Sequence, residues 1–357
     1  MPRNPAPNVD TQGMFDVLYK LPEQIQEAVE IGESAPIWRQ TPVSSRYAVF
    51  GLGGSAIGGD LLRSYLSGVE WGQHLQVIVN RSYDAPGWID GDTNVIVSSY
   101  SGETEETLSA FDQVRKKTMR MLSITTGGTL GQRSVTAGVP VINIPPGYQP
   151  RCALAFSFFP ILVAMGRHGR MDAKGVRMNA RSINETIREV TALRDEYASK
   201  AAKNPALKIA KQLQGKIPVI YSASDRMDAV NLRWRGQIQE NAKQLAFGNL
   251  LPEMNHNEIN GWQHPPKLLK NFEVVMLHDS EDHDRVKIRF DALQGILKGS
   301  VGGIVPVEGV GKNLLSRMFT AIYLGDWVSY HLALLNNEDP SPVPVIQKLK
   351  ARLAKAR

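Results

Sequence analysis

One cysteine, Cys152, stands in a chain of 357 residues. A lone thiol excludes an intramolecular disulfide framework and fits a reducing cytosol. Long apolar runs are also missing. The longest, Ala153 to Met165, has 13 residues and contains Pro160. It is too short to span a bilayer and fits a buried helix. The opening Met1-Pro2-Arg3-Asn4-Pro5 has no apolar signal core, so a cytoplasmic protein is expected, with residues 1–12 disordered. Neither sign of charge dominates: 41 Lys and Arg face 35 Asp and Glu, a net charge of +6. Much of that excess lies in the last ten residues, Lys348 to Arg357. They read as a solvated helix, and no nucleic-acid-binding motif accompanies them. A Walker A loop is absent, because Gly311-Lys312-Asn313 lacks the leading Gly and the Ser/Thr. No His-Glu-x-x-His or paired-Cys motif is present either. The His278 to Asp284 segment is rich in His and acids, and it reads as a solvated turn with acidic N-capping of the next helix rather than a metal site. No metal and no cofactor is expected.

What is present is an alternation of short apolar runs with helical stretches. Runs at 47–50, 76–79, 94–97, 121–124 and 139–144 read as strands, after a helix at 13–31. A charged helical segment covers 170–205. Strands at 217–221, 272–277 and 303–307 follow, leading into helices near 226–244, 284–298 and 313–335. A last helix opens at Asp339-Pro340-Ser341-Pro342. This is the pattern of α/β architecture, with parallel, doubly wound sheets covered on both faces. Two halves are expected: an N-terminal tail and helix over 1–40, an α/β domain over 41–175, a helical connector over 176–205 and a second α/β domain over 206–357.

Two loops about 45 residues apart lie where a strand hands over to a helix. The first, Gly51-Leu52-Gly53-Gly54-Ser55-Ala56, matches the G-x-G-x-x-A dinucleotide fingerprint. The next strand, however, ends in Asn80-Arg81 rather than in an acid for a ribose. The glycines and helix N-terminus equally suit a phosphate, and a tight turn without ligand is the plain alternative. In the second loop Ser99, Ser101 and Thr104 cluster around Gly102. Ser101 could serve simply as an N-cap. Three hydroxyls in six residues instead suggest a phosphate cradle of neutral donors at a helix start. Gly53, Gly54 and Ser55 with Ser99, Ser101 and Thr104 are the candidate phosphate-binding residues.

These loops resemble the sugar isomerase (SIS) domain. Further stretches narrow the resemblance to the bifunctional phosphoglucose/phosphomannose isomerase family: Pro150-Arg151, Arg233–Lys243, Pro252 to Glu258, Tyr323 to Tyr330 and Asp339–Lys350. The resemblance implies two SIS domains, a homodimer, a sugar 6-phosphate substrate and no cofactor. The activity it implies interconverts glucose 6-phosphate, and mannose 6-phosphate, with fructose 6-phosphate through a cis-enediol. Another SIS sugar-phosphate isomerase and a non-catalytic sugar-phosphate-binding regulator are the alternatives.

The resemblance also assigns roles. Glu240 corresponds to the base that moves a proton between C1 and C2, within an Arg-Trp-x-x-Gln-x-x-Glu-Asn context. Arg233, Gln237, Glu240 and Gln244 form one helical stripe, which composition alone reads as a solvated face. His256 corresponds to the ring-opening group, contributed from the other subunit. Arg151 follows a strand C-terminus, where α/β ligands gather, and supplies fixed positive charge for the enediolate. Lys350, with Lys348 second, corresponds to a lysine that assists ring chemistry. Ser341 stands where the family commonly has Thr, a small hydroxyl linked to accepting both C2 epimers. Cys152 precedes an apolar run and reads as packed rather than nucleophilic.

Overall fold

The computed structural model describes residues 4, 6–36, 38 and 44–355. The expected tail residues 1–3 and 5, the 40/41 domain boundary and the last two residues lie outside them. The first half contains α1 (Met14–Tyr19), α2 (Leu21–Ser34), β1 (Arg46–Phe50), α3 (Gly54–Ser67), β2 (Gln76–Asn80) and β3 (Asn94–Ser98). It continues with α4 (Glu105–Val114), β4 (Met121–Thr125), α5 (Gly128–Thr136), β5 (Val141–Asn143) and α6 (Leu154–Met165). Two helices follow, α7 (Ala173–Ala198) and α8 (Pro205–Leu213). The second half contains β6 (Ile217–Ala223), α9 (Asp228–Asn241), β7 (Phe247–Leu251), α10 (Pro266–Leu269) and β8 (Phe272–His278). It ends with α11 (Asp284–Leu297), β9 (Gly303–Glu308), α12 (Leu314–Leu335) and α13 (Pro344–Lys355).

Two parallel sheets result, in the order β2-β1-β3-β4-β5 and β7-β6-β8-β9. β3 and β4 are buried along their whole length, as strands covered on both faces must be. In the first sheet the order reverses between β1 and β3, so a crevice opens outside their carboxyl ends. Both phosphate-type loops emerge there.

The core between the sheets is helical. Every residue of α12 from Leu314 to Ala333 is buried, which is the signature of a helix surrounded by protein. α7, α8 and α9 pack on it, and α2 packs on α6. The buried charges of α12 are all partnered. Arg317 donates to both carboxylate oxygens of Asp279, and Asp326 accepts from Arg233. The halves are tied together elsewhere. Arg63 pairs with Asp228, Ser64 donates to Asp228 at 2.6 Å, and Ser67 donates to the Asp225 carbonyl at 2.7 Å. Among the described residues no helix is long and apolar enough to cross a membrane.

The structure corrects four sequence expectations. A ninth strand, β7, was missed: Phe247-Gly248-Asn249-Leu250-Leu251 lacks a β-branched run and lies at a sheet edge with Phe247 exposed. The last helix starts at Pro344, because the carbonyls of Pro340 and Ser341 are drawn to the Arg151 side chain. Asn4 and residues 6–12 are placed and anchored. Asp10 is buried and accepts from the amides of Met14 and Phe15, capping α1. The acidic turn before α11 is solvated only in part, with Ser280, Glu281, His283 and Asp284 exposed. Asp279 and Asp282 are buried, Asp279 holds Arg317, and the cap of α11 is His283 accepting from the Arg285 amide at 3.1 Å.

Candidate active site

The crevice is shaped by a backbone approach that only glycine permits. A β-carbon at residue 54 would run into the Pro150 carbonyl and stand 2.8 Å from the Arg151 amide nitrogen. The turn Pro150–Cys152 therefore sits directly on the start of α3. Gly53 takes a φ of 51°, which turns the chain from β1 into that helix.

The two loops are cross-tied. Ser55 Oγ accepts from the Tyr100 amide at 2.9 Å. Ser99 is fully buried; its hydroxyl shares a hydrogen bond with Thr104 Oγ1 at 2.9 Å and accepts from the Gly102 amide at 3.1 Å. Ser101 alone of the three is exposed, accepting from the Glu103 amide at 3.2 Å. The residue preceding α4 is Thr104, so Ser101 shapes the turn and does not cap the helix.

Beside the first loop lies a small cleft of about 150 Å³. Its walls include Gly53 and Gly54, Arg81 at the end of β2, Arg151, and the α9 residues Arg233, Gln237 and Glu240. Arg151 is 5% exposed and its guanidinium is almost fully committed. Nε donates to Asn241 Oδ1 at 2.6 Å, and Nη2 donates to the carbonyls of Pro340 and Ser341 at 2.7 Å each. Nη1 faces Glu240 Oε2 at 3.5 Å. Glu240 keeps 32% of its side chain exposed, so its carboxylate borders the cleft.

The stripe on α9 is not a solvated face. Arg233 and Gln237 are buried and both donate to Asp326 on α12, at 2.7 and 2.9 Å. Arg233 also donates to the Arg151 carbonyl at 3.1 Å. Gln244, by contrast, turns to the carbonyls of Leu213 and Lys216. Arg81 is paired with Asp60, whose burial raises its carboxyl above the ordinary value against the pull of that arginine. Cys152 is packed, and burial pushes its thiol up to about 11, so it carries no nucleophilic thiolate near neutrality.

The cleft thus gathers Gly53, Gly54, Arg151 and Glu240. Ser341 lies against Arg151 through its carbonyl, with its hydroxyl buried and unpartnered. Ser55, Ser99, Ser101 and Thr104 form the adjoining rim and are not in the cleft wall. His256 is exposed in the short turn Glu253–His256 and is not in the wall either. Lys348 and Lys350 lie on α13, no residue of which is buried. Sequence reasoning missed Arg81, Asn241 and Asp326. Arg81 was legible as the residue leaving a strand C-terminus; the other two depend on contacts across 88 to 93 positions.

Comparison with known proteins supplies the family. A bifunctional phosphoglucose/phosphomannose isomerase of Caldicellulosiruptor bescii is 42% identical over 346 residues, covering 96% of this chain and all of the relative. The chain belongs to the bifunctional phosphoglucose/phosphomannose isomerase family. A second relative of that name, from Aquifex aeolicus, is 34% identical over 85% of this chain and 89% of its own length. Residues 202–353 match the family model for the bacterial phospho-glucose isomerase C-terminal SIS domain. The fold is also that of a glucose-6-phosphate isomerase like protein from Thermus thermophilus. That likeness has a TM-score of 0.62 at 16% identity, over 96% of this chain and 97% of that one. As an isomerase of this family, the chain carries its SIS-type loops at the switch point of the first sheet and Glu240 on the first helix of the second.

Proposed function

We propose that the chain interconverts glucose 6-phosphate and mannose 6-phosphate with fructose 6-phosphate by proton transfer through a cis-enediol. The observation that carries this reading is the Glu240 carboxylate facing Arg151 Nη1 at 3.5 Å in the cleft beside the first loop. Isomerisation moves one proton between C1 and C2, and a single carboxylate on one face of the enediol serves both carbons. Negative charge then grows on the C1 and C2 oxygens. A guanidinium already fixed by its hydrogen bonds to Asn241, Pro340 and Ser341 stabilises it without reorganising.

The phosphate is assigned to the rim. The amides at the start of α3 and α4 and the hydroxyls of Ser55, Ser101 and Thr104 donate to it. His256 opens the ring and is assigned to the partner subunit of a homodimer. Its exposure in the turn after β7 supports that reading, since it does not line the cleft that holds Glu240. Lys350, with Lys348 as the neighbouring candidate, assists ring chemistry from α13. Ser341 leaves room beside C2 for either epimer. No cofactor takes part, and the protein works in the cytoplasm.

The test is a coupled assay with purified protein. Both glucose 6-phosphate and mannose 6-phosphate should form fructose 6-phosphate at saturable rates. Turnover of neither would overturn the reading, and turnover of glucose 6-phosphate alone would remove the dual specificity.

A further inference from the structure

Arg151 has five N–H donors in a fixed plane. Nε and both hydrogens of Nη2 are directed at Asn241 Oδ1 and at the Pro340 and Ser341 carbonyls. Only Nη1 is left for the cleft. Where it points therefore depends on the acceptors behind it. Two are backbone carbonyls, and the third is the side chain of Asn241, which is 0% exposed.

An amide can sit two ways round. Reversed, Asn241 would set its NH₂ against the Nε–H of Arg151, donor against donor. Its observed orientation is locked from behind. Asn241 Nδ2 donates to Ser329 Oγ at 2.9 Å, and Ser329 Oγ donates its own proton to the Asp326 carbonyl at 2.7 Å. The Ser329 oxygen toward Asn241 is thus an acceptor, and the Asn241 oxygen is left for Arg151. Asp326 is in turn held by Arg233 and Gln237 on the same helix as Asn241. α12 so fixes the aim of the Arg151 side chain through Asn241.

We propose that Asn241 is the positioning residue for Arg151, and that Ser329 fixes its amide so that Nη1 faces the reacting carbons. The inference rests on Arg151 acting in the chemistry as assigned above. Asn241 is fully buried and is not in the cleft wall; it acts through the arginine.

The experiment is a double-mutant cycle read in kcat on fructose 6-phosphate, with Arg151→Lys as the second site. In the parent, Asn241→Leu should lower kcat by up to about 100-fold with KM nearly unchanged, the scale of a misplaced catalytic group. Ser329→Ala removes the lock without emptying the site and should lower kcat by a smaller factor. In Arg151→Lys, which has no Nε–H to aim, both substitutions should change kcat little. Losses of the same factor in both backgrounds would make the effect structural and overturn the proposal. So would parent-like kcat in both single variants. If Asn241→Leu does not fold, Ser329→Ala alone decides between these outcomes. Should Arg151→Lys itself keep the parent kcat, the role of Arg151 falls, and this inference falls with it. A slow Arg151→Lys beside unaffected Asn241 and Ser329 variants sinks only the positioning role.

Discussion

The Glu240 carboxylate and the Arg151 guanidinium meet at 3.5 Å although 89 positions separate them in the chain. One arrives from the loop after β5 and the other from the helix after β6, so the pair spans the seam between the two sheets. Replacing Glu240 by Gln keeps the shape and the helix propensity but removes the base. Glu240→Gln should lower kcat by roughly 10²–10⁴-fold, the span of general base catalysis. A folded variant with parent-like turnover would mean that another group moves the proton.

The hydroxyls of the second loop divide into two kinds. Ser99 is buried and satisfies Thr104 and the Gly102 amide, whereas Ser101 is exposed. Ser101→Ala should weaken binding of a sugar phosphate with little change in Tm. Ser99→Ala should lower Tm modestly, because Thr104 loses its hydroxyl partner at about 0.5–1.5 kcal/mol, while the Gly102 amide keeps the Ser99 carbonyl at 3.1 Å. Calorimetry of both variants with phosphate checks the division. Unchanged phosphate affinity in Ser101→Ala would move the phosphate off this rim.

His256 lies outside the wall of its own chain's cleft, which a shared site would explain. Glu240→Gln and His256→Ala homodimers should each be nearly inactive. Refolded together in equal amounts, about half of the dimers should be mixed, with one site intact in each, so about a quarter of all sites should recover under two-fold symmetry. Activity of the refolded mixture reads this directly. Mixed dimers without recovery would place both residues in one subunit's site, or His256 outside the chemistry.

Acidity should act on stability through Asp282. It is buried, with Oδ1 unpartnered and Oδ2 accepting from the Asp279 amide. Burial, reinforced by the Asp279 charge, pushes its carboxyl up to about 6 from 3.8. The folded form therefore favours the protonated acid. That contribution is complete below the unfolded value and is lost as pH rises through the folded one. Asp282→Asn should raise Tm by several degrees at about pH 8, and the gain should vanish near pH 4. A Tm difference independent of pH would show that Asp282 does not titrate this way.

The sequence made the two sheets readable because their strands are buried on both faces and appear as apolar runs bounded by turns. β7 escaped because it is a half-exposed edge strand with Gly248 and Asn249 inside it. The rim was legible for a local reason, since hydroxyls and glycines fall within six residues. The resemblance supplied Glu240 and Arg151, and the structure added why they hold still. Arg233 and Gln237 looked like a solvated stripe, yet both end on Asp326, about ninety positions away. Nothing in their local patterns marks Asn241 and Asp282 as buried. Their environments are set by which helix packs behind them, and a single chain of letters does not encode that in any short window.

The bonds across the seam bear on how a ligand is received. Arg63 and Ser64 reach Asp228, Ser67 reaches the Asp225 carbonyl, and Arg151 reaches Asn241, so α3 and the Pro150–Cys152 turn are stitched to the far half at several points. A clamshell motion would have to rupture all of these at once. These bonds oppose any change in the width of the crevice. To the extent that they hold, discrimination between C2 epimers rests on whether a hydroxyl can be parked against a standing wall, and less on how tightly two lobes shut.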